Sequence, residues 1–175
     1  KKDVKSSQSS TVSATDAPAP AGSKQEVTSA AAPSKPANVP FRAVSSKADD
    51  IGFTLTSLKI ANGKIICAVN IHNKSKVEKS VALYDDAFRW TKSKITDDAG
   101  KNQHVSNVTF TKGSQKVAMS ASGTRGITVG PGETVAASMT FKKESLRAVR
   151  SLDLHPFIYE GRRWQEHDIV LKLAR

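Results

Sequence analysis

Four histidines, one cysteine and two clusters rich in Asp and Gly are the residues whose side chains or backbone could do chemistry. His72, His104, His155 and His167 have no pairwise spacing that would set two imidazoles side by side on one strand or helix, and no His-Glu-x-x-His arrangement occurs. They read as surface or turn histidines. Asp97-Asp98-Ala99-Gly100 has the acidic start of a calcium loop, but the alternating Asp/Asn ligands and distal Glu of an EF-hand are missing, so a hairpin turn is predicted. Cys67 is the sole cysteine, which excludes an intrachain disulfide and zinc sites built on paired cysteines. It falls on an inward strand position, where a thiol behaves as a small, inert hydrophobe. The stretch from Gly126 to Gly132 lies between predicted strands with no following helix or lysine, so it is not a Walker-type phosphate loop, and no Gly-x-Ser-x-Gly elbow occurs. No catalytic residue, metal or cofactor is assigned, and the chain is expected to be non-enzymatic.

What remains is binding chemistry. Lys and Arg number 27 against 16 Asp and Glu, a formal charge of +11, which favours anionic partners such as acidic glycans, lipid headgroups or nucleic acid. Specific nucleic-acid recognition is not expected, because no recognition helix or stacked-aromatic sheet motif is present. The densest basic stretch is Lys142, Lys143, Arg147 and Arg150. A second group comes after the Tyr159-Glu160-Gly161 turn, where Arg162 and Arg163 precede Trp164. Rings beside arginine at a loop tip suit an interface, since they offer large contact area at low entropic cost. The alternative leaves Trp164 as a core anchor and Arg162-Arg163 as a solvated turn, and the sequence alone does not choose. Trp90, next to Arg89, is placed inward by parity.

The elements that must carry these residues fall into two regions. Residues 1–47 are rich in Ser, Ala and Pro, with Phe41 the one aromatic; such a segment cannot bury enough apolar surface to offset ordering entropy and is expected to be a disordered tether. Its prolines stiffen it, and full extension would reach on the order of 150 Å. From Ile51 onward, short apolar alternations broken by turn residues predict an antiparallel sandwich over 48–175. The parity shift near Thr56-Ser57 predicts a bulge, Asn62-Gly63 a tight hairpin, and Ile65, Cys67, Val69 and Ile71 one inward face. Gly130-Pro131-Gly132-Glu133 should turn the chain into a strand with Val135, Ala137, Met139 and Phe141 inward. One short helix is expected over 144–149, and seven to nine strands in all.

The order of CAVNIHNKSK at 67–76, ITDDAGKNQ at 95–103, and ITVGPGETVAASMTF at 127–141 followed by LDL at 152–154 resembles the immunoglobulin-like domains of uncharacterised bacterial lipoproteins and secreted proteins. The resemblance covers roughly Ile51 to Leu173 and implies an immunoglobulin-like β-sandwich at an extracytoplasmic address, periplasmic, lipid-anchored or secreted. It supplies no shared catalytic site. This chain departs from many such domains in being basic. The Lys1–Ser7 leader running into low-complexity sequence is similar to the segment after the lipidated cysteine in many bacterial lipoproteins, so membrane contact is expected only through an N-terminal lipid anchor. The expected function is a cell-envelope or secreted interaction module that docks a protein partner at the end of a flexible tether. The alternative is a binder of an anionic polymer such as cell-wall glycan, lipopolysaccharide or nucleic acid.

Overall fold

A computed structural model describes residues 37–39, 44–84, 93–119, 126–142 and 148–173, all within the unit Ala32–Arg175. Every regular element in them is a β-strand. In chain order these are β1 (Ala37–Asn38), β2 (Val44–Ala48), β3 (Ile51–Ala61), β4 (Lys64–Asn73), β5 (Lys79–Ala82), β6 (Lys94–Asp97) and β7 (Asn102–Lys112). They continue with β8 (Gln115–Ala118), β9 (Ile127–Val129), β10 (Thr134–Lys142), β11 (Val149–Leu154), β12 (Phe157–Glu160), β13 (Arg163–Glu166) and β14 (Ile169–Lys172).

Local chemistry sets the longest pairings. Asn62 and Gly63 both take positive φ, 49° and 68°, as a type I′ turn requires, and β3 and β4 pair from Ala61↔Lys64 outward. The register slips between Leu55 and Ser57, which is the bulge expected from the parity shift and keeps both Leu55 and Leu58 buried. Along β4 and β10 the alternation is strict: Ile65, Cys67, Val69 and Ile71 meet Phe141, Met139, Ala137 and Val135 in direct register on the inner face. Asp49 and Asp50 close a second tight hairpin, β2 to β3, at φ of 45° and 59°; aspartate is among the few non-glycine residues that accept this conformation.

Ten strands form one antiparallel sheet in the order β1-β3-β4-β10-β7-β6-β11-β14, with β2 also on β3 and β8 also on β7. The sheet curls until β14 comes alongside β2. The remaining four strands form a second sheet, β13-β12-β5-β9, whose inner residues Val81, Ile127, Val129 and Ile158 join Phe53, Phe110 and Phe141 in one core. The fold is therefore all-β and antiparallel, a β-sandwich.

Three expectations change. The strands number fourteen among the described residues rather than seven to nine. The short helix is not seen: Val149 begins β11, and 143–147 lie outside the described residues. The expectation rested on Leu146 and Val149, three apart as on a helix; Leu146 lies outside the described residues, and Val149 pairs with Asp97 in β11. Finally, β1 and all of β2 but Ala48 fall within the 1–47 segment assigned to the tether; the segment's other residues, apart from Val39, lie outside the described residues.

Asn73, at the end of β4, joins the two sheets. It is fully buried, and its side-chain amide donates to the carbonyls of Val77 (2.8 Å) and Val129 (2.9 Å). Its side-chain carbonyl accepts from the Ser75 N–H and hydroxyl. Its backbone N–H donates to Glu133 O, and its backbone carbonyl accepts from the Gly132 N–H. The turn at 130–133 is tied further by Glu133, whose Oε2 accepts from Lys112 Nζ (2.8 Å) and the Gly130 N–H (2.7 Å). The lysine first, and then the backbone N–H, hold this carboxyl below the usual range.

Replacing Asn73 with Ala strips the amide from the buried Val129 carbonyl, while the Val77 carbonyl keeps the Ser75 hydroxyl, so unfolding in urea should show a loss of about 2 kcal/mol; a loss below about 1 kcal/mol would mean that water replaces the amide freely. For Glu133, a lowered folded pKa contributes stability above the unfolded value of about 4.3, and that contribution disappears as pH falls through the folded value. Glu133→Gln should therefore be less stable than the wild type at neutral pH, with the gap narrowing in unfolding curves taken at successively lower pH below the unfolded value.

Candidate functional site

The sequence motif Tyr159-Glu160-Gly161-Arg162-Arg163-Trp164 folds as the β12–β13 hairpin. Glu160 pairs with Arg163 across a two-residue loop in which Gly161 takes φ 60°. Such a loop makes its flanking residues a hydrogen-bonded pair, and pairs then alternate along the ladder. The bond from His167 N–H to Pro156 O, 3.1 Å, keeps this alternation. Tyr159↔Trp164 is consequently a non-hydrogen-bonded pair with its side chains close together, and the backbone groups of Trp164 and Glu166 point away from β12.

Adjacent residues of β13 serve opposite faces. Trp164 lies on the outer face, 56 % exposed, with its ring 5.4 Å from Phe157. Phe157 meets Tyr84 edge-on at 5.6 Å, and the Tyr84 and Tyr159 hydroxyls are 3.4 Å apart. Burial, with the Tyr159 hydroxyl and its charge behind it, raises the Tyr84 pKa. Trp164 is thus no core anchor; it caps an aromatic cluster from outside. Register extends this row across all four strands, Trp164↔Tyr159↔Ser80↔Thr128, with the Ser80 and Thr128 hydroxyls 3.3 Å apart.

Arg163 and Gln165 occupy the other face, where β13 overhangs the β2–β3 turn. Beneath them is a cleft of about 380 Å³ lined by Asp49, Lys79, Ile158, Glu160, Arg163 and Gln165. Lys79 forms its floor and is nearly buried. Its ammonium donates to Asp49 O (2.8 Å) and lies 3.4 Å from the Glu160 carboxylate, which is exposed. Two histidines stand at the roots of the hairpin: His155 Nδ1 is 2.6 Å from Asp168 Oδ1, and the buried His167 Nε2 is 3.2 Å from Asp49 Oδ2 without a hydrogen bond to it.

Of the basic residues singled out in the sequence, Arg162 and Arg163 are exposed on this hairpin beside half-buried Tyr159. Lys142 and Arg150 are exposed too, but Lys142 pairs with Lys64 at the Asn62-Gly63 end of the large sheet. Because β3 runs 11 residues, that end is roughly 35 Å along the strands from the Asp49 turn. Arg150 sits in the β11 bulge. Lys143, Arg147, Arg89 and Trp90 lie outside the described residues. Among the described residues, Lys142 therefore does not share a surface with Arg162 and Arg163. Residues that sequence reasoning passed over are Asp49, Lys79, Ser80, Tyr84, Thr128 and Gln165. Lys79 and Ser80 lie on a four-residue strand, too short for its alternation to stand out, and Tyr84 follows two residues after its end.

Cys67 is buried, and burial pushes its thiol up to about 12, in keeping with an inert hydrophobe. Among the described residues no group of three or more His, Cys, Asp or Glu could hold a metal ion. No family model matches the chain, and no curated protein does. Among solved structures, an uncharacterised β-sandwich protein from Clostridium difficile 630 is similar at 10 % identity and a TM-score of 0.35, over 71 % of this chain and 89 % of that one.

Lys79→Ala removes the donor to the Asp49 carbonyl, which holds the β2–β3 turn against the small sheet. Denaturant unfolding should show a loss of about 2 kcal/mol, and a variant as stable as the wild type would mean that the turn is held by its own hairpin alone.

Proposed function

We propose that this chain is a non-catalytic bacterial envelope or secreted interaction module, an immunoglobulin-like sandwich on a flexible tether, and that it docks a protein partner by strand addition at β13. The observation that carries the reading is the edge itself. Among the described residues β13 ends its sheet, all four of its residues are exposed, and the hairpin register aims the N–H and C=O of Trp164 and Glu166 outward. An extended segment of a partner can pair with those groups, while pockets on either side read its alternate side chains. Arg162 and Arg163 at the tip would steer an acidic partner. The tether would set how far from its point of attachment the module reaches, periplasmic, lipid-anchored or secreted as that point is.

The test uses the backbone. Proline at an edge position removes an outward N–H and leaves the hairpin bonds in place, so Glu166→Pro should keep the fold and abolish capture of the protein partner from envelope extracts. Capture unchanged by Glu166→Pro would remove the basis for strand addition. Capture that instead collapses between about 50 and 500 mM salt and on Arg162→Ala/Arg163→Ala would favour an anionic polymer, through counterion release.

A further inference from the structure

The outer face of the four-stranded sheet carries a second surface that strand addition at the edge does not use. Trp164, Tyr159, Ser80 and Thr128 stand in one cross-strand row, one residue from each strand. Three of them are half-buried and Trp164 is exposed. Strand spacing of ~4.8 Å makes the row roughly 14 Å long, enough for a short run of sugar rings laid across the strands. Its chemistry is divided: two rings at one end, two hydroxyls at the other, and the Tyr159 hydroxyl between them. We propose that this row binds a neutral glycan chain, with pyranose C–H faces stacked on Trp164 and Tyr159 and sugar hydroxyls bonded to Ser80 and Thr128.

Several observations favour a sugar over other occupants. An apolar protein face would need the apolar surface to continue, whereas here it passes into hydroxyls, each able to donate one hydrogen bond and accept two. A polyanion would need cations here, yet register turns Arg163 to the opposite side with Gln165, the outer-face residue next along β13 is Glu166, a carboxylate, and the Lys112 ammonium at the Thr128 end is already bonded to the Thr128 carbonyl and the Glu133 carboxylate. Trp164 is also held before any ligand arrives, since its ring rests on Phe157, and the Tyr159 hydroxyl is within 3.4 Å of that of Tyr84. A platform fixed in this way loses little side-chain entropy on binding. The glycan row and the strand-addition edge share β13 but use different groups, side chains for one and backbone for the other.

The probes are β-1,4-linked tetrasaccharides of glucose and of N-acetylglucosamine, titrated against the whole chain by calorimetry and by Trp fluorescence, with sedimentation on purified peptidoglycan as a second arm. Binding of either tetrasaccharide is expected, roughly tenfold weaker in Trp164→Ala, retained in Trp164→Phe, and weakened severalfold in Ser80→Ala/Thr128→Ala. Arg163→Ala and Glu166→Pro should bind as the wild type does, and the affinity should hold from about 50 to 500 mM salt, because no counterions are released. Thermal unfolding of Trp164→Ala, with a midpoint near the wild type's, separates a lost platform from a lost fold. The proposal is overturned if the wild type binds neither tetrasaccharide, even where it sediments with peptidoglycan through that polymer's carboxylates, or if Trp164→Ala binds as well as the wild type. It is also overturned if binding follows Arg163 and salt. Loss of protein capture by Glu166→Pro with sugar binding intact, or the reverse, tells the two surfaces apart.

Discussion

The placement of one sheet on the other depends on a single buried amide. Asn73 ends β4, the strand that pairs on both sides within the large sheet, and its side chain donates to Val129 at the end of β9 in the small one. The same residue accepts from Ser75 and bonds through its backbone to both Gly132 and Glu133. All its polar atoms are matched in a site closed to water, which is where a hydrogen bond is strongest and an unmatched group most costly. Apolar packing holds the two sheets together but has little directional preference. The amide supplies direction: it specifies which carbonyl of β9 stands over which end of β4. Since β9 pairs with β5 and β5 with β12, the position of the small sheet's outer row is set by that choice.

The chain also places its charges by strand geometry. Arg162, Arg163 and Trp164 are consecutive, and as a string they look like one basic-aromatic patch. A strand sends neighbours to opposite faces, so Trp164 joins the outer aromatics while Arg163 overhangs the Lys79 cleft. The ammonium of Lys79 is buried there, but next to the Asp49 carbonyl and the Glu160 carboxylate, so the cleft is balanced in charge despite the basic total. The net charge of +11 describes the chain and not this face of it.

The same physics decides which elements were legible in the sequence. Strict period-two alternation with obligatory turns, as in β4, β10 and the Asn62-Gly63 hairpin, depends only on neighbours in the chain, and so could be read from it. The bulge at Leu55–Ser57 was readable because it breaks parity inside a long apolar run. Leu146 and Val149, three residues apart, have the period of a helix, whereas Val149 pairs with Asp97 at the start of β11. β13 left no trace: its four residues are all exposed, and alternation is visible only when one face is buried. β5 is too short for a pattern, and β2 is rich in Ser and Lys, held by its pairing to β3.

The candidate site was half legible for the same reason. Tyr159, Arg162, Arg163 and Trp164 announced themselves by type, and the turn between them by Glu160-Gly161. Whether Trp164 turned inward could not be read from type, because it depends on the parity of β13 relative to β12, and that parity is set by a loop of two residues rather than three. Were the turn to take in Arg163 as a third residue, β13 would slip by one position and exchange its faces, pairing Gln165 with Tyr159 on the outer face and Trp164 with Glu160 on the face of Lys79. The aromatic end of the row therefore depends on loop length, and its hydroxyl end on pairing between β5 and β9, strands separated by some forty-five residues of chain. Neither relation is local, and the surface they make together exists only once both sheets are in place.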